Sequence, residues 1–164
     1  MKFQALTLVS LLIIGTSCYA TNTPPVENIL APTAPKPDGA YSQATRVDLQ
    51  KGKLIFISGQ VAEDPKTGKL LEGDIHTATH QTLDNIGAIL KAAGSDWKYV
   101  VRMDVFLKNF NDWAGMNEEY VKRFPNGVYP ARQAVQVGME NRIEISCIAF
   151  VPNKTVASKN TANK

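Results

Sequence analysis

Hydrophobic and polar positions along the chain follow either a two-residue or a 3.6-residue rhythm, and the period separates strands from helices. Leu54-Ile55-Phe56-Ile57-Ser58-Gly59-Gln60-Val61 is rich in apolar and β-branched residues and reads as a strand. A weaker strand over Tyr41 to Asp48 precedes it across Gln50-Lys51-Gly52, so the two are expected to pair as a hairpin. Asp64-Pro65-Lys66-Thr67-Gly68-Lys69 sets Pro early and Gly late, the order in which a turn uses a fixed φ and then a positive one. Ile75, Thr79, Leu83, Ile86, Leu90 and Ala93 recur at helical spacing, with Gly94 just past the end. Tyr99 to Leu107 alternates as a strand, with Val101, Met103, Val105 and Leu107 on one face and Arg102 and Asp104 on the other. Asn111 is placed to cap a second helix running through Arg123, with Trp113, Met116, Tyr120 and Phe124 at helical spacing. Strands over Arg132 to Val137 and Arg142 to Val151 complete the series.

The order ββαβαββ predicts an α+β fold, with two helices on one face of a mixed, largely antiparallel sheet. In the last strand Ile143, Ile145, Cys147 and Ala149 share one face, while Ile148 and Phe150 lie on the other with Glu144 and Ser146. A strand apolar on both faces must be covered twice. The helices supply one cover, and a neighbouring subunit is expected to supply the other.

Composition changes this picture only at the ends. A chain of 164 residues with 44% hydrophobic and 20% charged residues is that of one soluble globular domain. Its first twenty residues read differently: Lys2, a mostly apolar stretch from Phe3 to Ile14, then Gly15 to Ala20, the parts of a secretory signal peptide with cleavage after Ala20. Lipidation at Cys18 is a second reading, although Gly15 stands where such signals carry a Leu-like side chain. The protein is thus expected to be exported, to a periplasmic location. Thr21 to Pro37 is rich in Pro, Thr and Ala and reads as an extended leader, and Asn153 to Lys164 as a polar tail. The expected boundaries are signal 1–20, leader 21–28, domain 29–152 and tail 153–164.

The net charge of +3 comes from scattered Lys and Arg, with no basic stripe interleaved with aromatics, so no nucleic-acid partner is expected. Of two cysteines only Cys147 lies in the domain, where it alternates with Ile143, Ile145 and Ala149 as a small hydrophobe and not a nucleophile. His76 and His80 stand four apart on the first helix, a spacing that can present two imidazoles to one metal. No third ligand stands at a supporting spacing. A solvated helix face is the reading adopted, with no metal and no organic cofactor expected.

Several local sequences form one pattern: Gly39-Ala40-Tyr41-Ser42-Gln43-Ala44, Ile57-Ser58-Gly59-Gln60-Val61 ahead of Asp64-Pro65-Lys66-Thr67-Gly68, Gln81-Thr82-Leu83-Asp84-Asn85-Ile86, and Tyr129-Pro130-Ala131-Arg132 followed by Arg142-Ile143-Glu144-Ile145. In this order and spacing they resemble the reactive-intermediate-deaminase (YjgF, RidA) family across nearly all of residues 29–152. The resemblance implies a chorismate-mutase-like (ferredoxin-like layered) subunit, assembled as a barrel-like homotrimer with clefts between subunits. It also implies hydrolysis of 2-imino or enamine acids, of the 2-iminobutanoate and 2-iminopropanoate type, to 2-keto acids and ammonia.

Such chemistry needs a carboxylate anchor, a water delivered to the imine carbon and a proton for the departing nitrogen. Arg132 matches the family's anchoring arginine, and a guanidinium pairs with a carboxylate through two parallel hydrogen bonds. Glu144 matches the catalytic glutamate, a carboxylate able to orient water and move protons from the strand face opposite Ile143 and Ile145. Tyr41, Ser58, Gly59 and Asn117 match residues around the substrate; Tyr41 reads equally as a core aromatic and Asn117 as an exposed helix residue. Two departures are visible. Ala134 stands where many active members carry Cys, and the connection from Val137 to Arg142 is shorter than in many relatives.

Two other functions fit the same scaffold: a small-carboxylate binding protein without turnover, and the endoribonuclease or translation-inhibitor role under which the family has also been described. The modest, scattered charge and the lack of stacking aromatics speak against the second.

Overall fold

The computed structural model describes residues 26–37, 43–49 and 52–153. The expected signal segment with Cys18, the candidate Tyr41 and the tail beyond Asn153 lie outside the described residues. Along the chain come β1 (Val26–Ile29), β2 (Ala44–Leu49), β3 (Gly52–Gln60), the short β4 (Glu63–Asp64) and β5 (Lys69–Leu70), α1 (Ile75–Ala92), β6 (Val100–Leu107), α2 (Trp113–Val121), β7 (Ala131–Gln136) and β8 (Ile143–Pro152). From β2 on, the long elements run ββαβαββ. The main sheet has the order β1-β2-β3-β8-β6-β7, antiparallel throughout except for the parallel pair β6 and β7.

The expected hairpin is β2 and β3, in register from Ala44 opposite Ile57 to Leu49 opposite Gly52. The turn that follows is held as its residues require: Asp64 Oδ1 accepts from the N–H groups of Lys66 and Thr67, and Gly68 takes a φ of +67°. Asp74 caps α1 by accepting from the Thr77 N–H at 2.9 Å. At the other end Gly94 turns left-handed at φ +79°, and Ser95 N–H reaches back to the Leu90 carbonyl and Gly94 N–H to that of Lys91. That reciprocal pair is a Schellman ending, which Gly94 makes possible.

Both helices lie on one face of the sheet. The core forms between Leu83, Ile86, Ile89, Leu90, Met116 and Tyr120 of the helices and the inward positions Ile55, Ile57, Met103, Val105, Leu107, Ile143, Ile145, Cys147 and Ala149 of the strands, all buried.

Three local expectations are corrected. Val101 does not join Met103 on the inner face: β6 slips register against β8 between Val100 and Arg102, so Val100 is buried and Val101 is half exposed. A bulge of this kind inserts one residue and reverses the alternation before it. The second helix is capped differently, because Asn109 and not Asn111 accepts, from the Asn111 N–H, to start a 3₁₀ turn over Phe110–Asp112 that leads into α2. That helix ends at Val121, yet Phe124 still reaches the core from the turn beyond it. Finally, the leader is not all peripheral. β1 begins at Val26, Ile29, Ala31 and Ala34 are buried, and the buried Gln43 side chain clasps the segment by accepting from Ala31 N–H (2.6 Å) and donating to the Ala31, Ala34 and Pro35 carbonyls.

Candidate functional site

β7 is the edge strand, and its pairing with β6 sets Arg132 opposite Met103 and Ala134 opposite Val105, both inward residues. Arg132 therefore lies on the helix side of the sheet. There α2 presents Trp113, Asn117 and Tyr120 at helical spacing on one face, and the Arg132 guanidinium meets all three. Its Nη1 donates to Asn117 Oδ1 at 3.0 Å, and its carbon sits 4.3 Å from the Tyr120 ring centre and 5.1 Å from that of Trp113. Stacking on aromatic faces holds the fork without using its N–H groups. Among the described residues the remaining N–H groups of Arg132 have no partner. They line a cavity of about 450 Å³ shared with Asn117, Tyr120, Val121, Tyr129 and Pro130. Burial pushes the Tyr120 phenol up to about 12, so it stays neutral beside the guanidinium.

Glu144 lies elsewhere. It pairs with Phe106 on the outer face of the sheet, since its neighbours Ile143 and Ile145 point inward. Across the β3–β8 ladder the register shifts between Ile57 and Gln60, and the irregularity contains Ser58 and Gly59. The Glu144 side chain crosses Gly59 so closely that a Cβ there would stand 1.9 Å from Glu144 Oε1 and 2.9 Å from its Cγ. Glycine at 59 thus leaves room for the Glu144 carboxylate, which any larger side chain there would displace. Ser58 N–H donates to the Gln43 carbonyl, which ties the irregular stretch to the residue that clasps the leader.

The candidates thus divide into two groups. Arg132 and Asn117 meet on the helix side; Glu144, Gly59 and the neighbouring Ser58 meet around the outer face. One subunit does not bring its own Arg132 and Glu144 together. Cys147 does not substitute for the cysteine missing at Ala134: it sits in the same cross-strand row as Met103 and Arg132, is 2% exposed, and burial pushes its thiol up to about 12. Sequence reasoning took Trp113 and Tyr120 as packing residues and missed their hold on Arg132. The available signal was Asn117, a polar residue set between them at helical spacing.

The family model described as Endoribonuclease L-PSP matches residues 31–151. A RutC family protein of Pyrococcus horikoshii is 46% identical over 127 residues, covering 76% of this chain and 97% of that one. The human 2-iminobutanoate/2-iminopropanoate deaminase is 42% identical over 128 residues, covering 76% and 90%. The crystal structure of Escherichia coli TdcF with bound serine superposes with a TM-score of 0.68 at 34% identity, covering 76% of this chain and 98% of that one. With a family model spanning the sheet from β2 through nearly all of β8, relatives above 40% identity and the same layered fold, the chain belongs to the reactive-intermediate-deaminase (YjgF, RidA, RutC) family.

Proposed function

We propose that the protein is a hydrolytic deaminase that converts small 2-imino acids to 2-keto acids and ammonia in clefts between the subunits of a homotrimer. The observation that carries this reading is the division of the site residues between the two faces of the sheet. Arg132 offers an open guanidinium fork on one side and Glu144 a carboxylate on the other, so a second copy must bring them to one substrate. The outer face around Glu144 supports such an assembly. Leu54, Phe56, Phe106, Ile148 and Phe150 stand there, Phe56 being 40% exposed, and neither helix covers them.

In this reading Arg132 holds the substrate carboxylate through two parallel hydrogen bonds, and Asn117 with the two rings keeps the fork in position. Glu144 orients a water and takes one of its protons as the oxygen attacks the protonated imine carbon, giving a tetrahedral carbinolamine. The proton held by Glu144 passes to the nitrogen, the carbon–nitrogen bond breaks with ammonia as the leaving group while Glu144 takes the hydroxyl proton and the keto carbonyl forms, and that proton passes to the ammonia, which leaves as ammonium. One water is consumed, and these steps require no change of oxidation state. Ala134 in place of the family's cysteine does not obstruct this sequence, because no step needs a thiol.

A coupled assay that generates 2-iminobutanoate in situ and follows its loss tests the reading. The parent should accelerate hydrolysis. Arg132→Ala should lose both turnover and product binding, the latter by about 100-fold for a lost bidentate pair. Arg132→Lys should recover little. Glu144→Gln should keep product binding while turnover falls by about 100-fold or more. Tight binding of 2-ketobutyrate with no imine turnover by the parent would replace the enzyme with a small-carboxylate binding protein. RNA cleavage by a nuclease-free preparation that depends on Arg132 would instead favour the activity for which the family model is described.

A further inference from the structure

Arg142 stands just ahead of β8, two residues before Glu144, and its guanidinium makes three hydrogen bonds. Nε donates to Asp112 Oδ2 and Nη2 to Asp112 Oδ1, both at 2.9 Å, and Nη1 donates to the Gly73 carbonyl at 3.3 Å. Asp112 ends the 3₁₀ turn that leads into α2, and its side chain is 13% exposed. An aspartate at a helix start ordinarily turns its carboxylate on the first free N–H groups. Asp112 makes no such bond with α2, and both its oxygens face Arg142. The two ends of this pair differ in freedom. β8 is hydrogen-bonded to β3 on one side and to β6 on the other, and the Arg142 carbonyl extends the second ladder by accepting from Lys108 N–H at 3.1 Å. α2 has only nine residues, with Gly115 in its interior, and a helix that short is placed by its contacts rather than by its own stability.

We propose that Arg142 and Asp112 are positioning residues for Arg132: the fixed end of β8 holds the start of α2, and α2 in turn holds the guanidinium that binds the substrate carboxylate. This role rests on the deaminase reading of the site. Trp113 follows Asp112 directly, and Asn117 and Tyr120 follow on the same helix face, so a shift at the start of α2 moves all three groups that touch Arg132. Exposed ion pairs contribute little, but a bidentate pair with one partner largely buried fixes geometry as well as charge. Glu144 is held by the two ladders of β8 and not by this pair. Loss of the bridge should therefore weaken carboxylate binding and leave the proton-transfer step in place.

The test compares Asp112→Ser, Arg142→Gln and Arg142→Lys with the parent, as full chains with native circular dichroism. Asp112→Ser keeps a side chain suited to a helix start and removes the bridge. In Asp112→Ser and Arg142→Gln, calorimetric affinity for 2-ketobutyrate should fall by about tenfold, with KM for 2-iminobutanoate rising by a similar factor and kcat within about twofold of the parent. Arg142→Lys keeps the charge without the fork and should recover a minor part of the affinity. In an Asn117→Ala background Arg142→Gln should weaken binding less than it does alone, because both changes act through one guanidinium. The hold on Arg132 is also read with no substrate, from the rate at which phenylglyoxal modifies it, followed by mass on its own peptide. Both bridge variants should speed that reaction several-fold. Parent affinity and parent modification rate in Asp112→Ser, or a fall in kcat at unchanged KM, would overturn the positioning role. A parent that neither binds 2-ketobutyrate nor hydrolyses the imine overturns the deaminase reading instead, and the modification rates still decide whether the bridge holds Arg132.

Discussion

The outer-face carboxylate of Glu144 lies against a backbone that leaves it just enough room. Gly59→Ala adds one methyl at a point 1.9 Å from Glu144 Oε1, so the carboxylate must swing away while the strand keeps its hydrogen bonds. Imine turnover should then fall by about tenfold or more, with a loss of stability near 1 kcal/mol and unchanged product binding at Arg132. Full activity in Gly59→Ala would remove Glu144 from the mechanism. Cys147 permits a test of a different kind. Its thiol is held protonated up to about 12, whereas in the unfolded chain it ionises near its ordinary value of 9.0. Between these values the unfolded state carries fewer protons, so stability falls as pH rises, by up to about 1.4 kcal/mol per pH unit from this group alone. Well below pH 9 the group contributes no slope. Urea denaturation between pH 8 and 11 should show the decline, and Cys147→Ala should flatten it in part, since the buried Tyr120 phenol acts in the same direction. Identical slopes for the parent and Cys147→Ala would contradict the burial of the thiol.

Among the elements, the leader is held to the sheet by one residue. Gln43 is 1% exposed and its amide satisfies Ala31 N–H together with the carbonyls of Ala31, Ala34 and Pro35. Gln43→Leu keeps the volume and strands those backbone groups, at about 3 kcal/mol or more, which a lowered urea midpoint with a nearly unchanged slope would register. A midpoint within error of the parent would show that the clasp is dispensable. This clasp also marks where sequence reading stopped. Residues 21–37 look like a solvated leader because their composition is Pro, Thr and Ala. The side chain that buries part of them sits just ahead of the next strand, twelve residues beyond Ala31, and no local pattern links the two. The β3 strand, the α1 helix with its Gly94 ending and the turn at Asp64 were legible, since each is written in contiguous residues by period or turn chemistry. The slip at Val101 was not, because a bulge leaves the two-residue alternation intact on either side and shifts only its phase. At the site, the types and positions of Arg132 and Glu144 followed from motif resemblance. That Asn117, Trp113 and Tyr120 cradle the guanidinium follows only once α2 is packed against β7. Asp112 is the same case: it stands 30 residues from Arg142, and the packing of α2 beside β8 makes them neighbours.

For the molecule as a whole, the opposite facing of Arg132 and Glu144 makes assembly part of the proposed chemistry. If each cleft takes its arginine from one subunit and its glutamate from the next, neither Arg132→Ala nor Glu144→Gln alone contains an intact site. A mixture does. Where a Glu144→Gln subunit supplies the arginine and an Arg132→Ala neighbour supplies the glutamate, that cleft carries both native side chains. Random assembly of equal amounts into closed rings makes about a quarter of the clefts of this kind. The two inactive proteins, mixed unfolded and refolded together, should recover about a quarter of the parent's turnover per subunit, and refolding them apart before mixing should recover little until subunits exchange. Introducing Phe56→Asp or Ile148→Asp into both should abolish the recovery, because a charge on the outer face would have to be buried in the interface. Sedimentation of those variants should show monomers with native circular dichroism. A parent that sediments as a stable monomer at micromolar concentration, or a trimer whose refolded mixture stays inactive, would show that Arg132 and Glu144 do not serve one substrate across a subunit boundary.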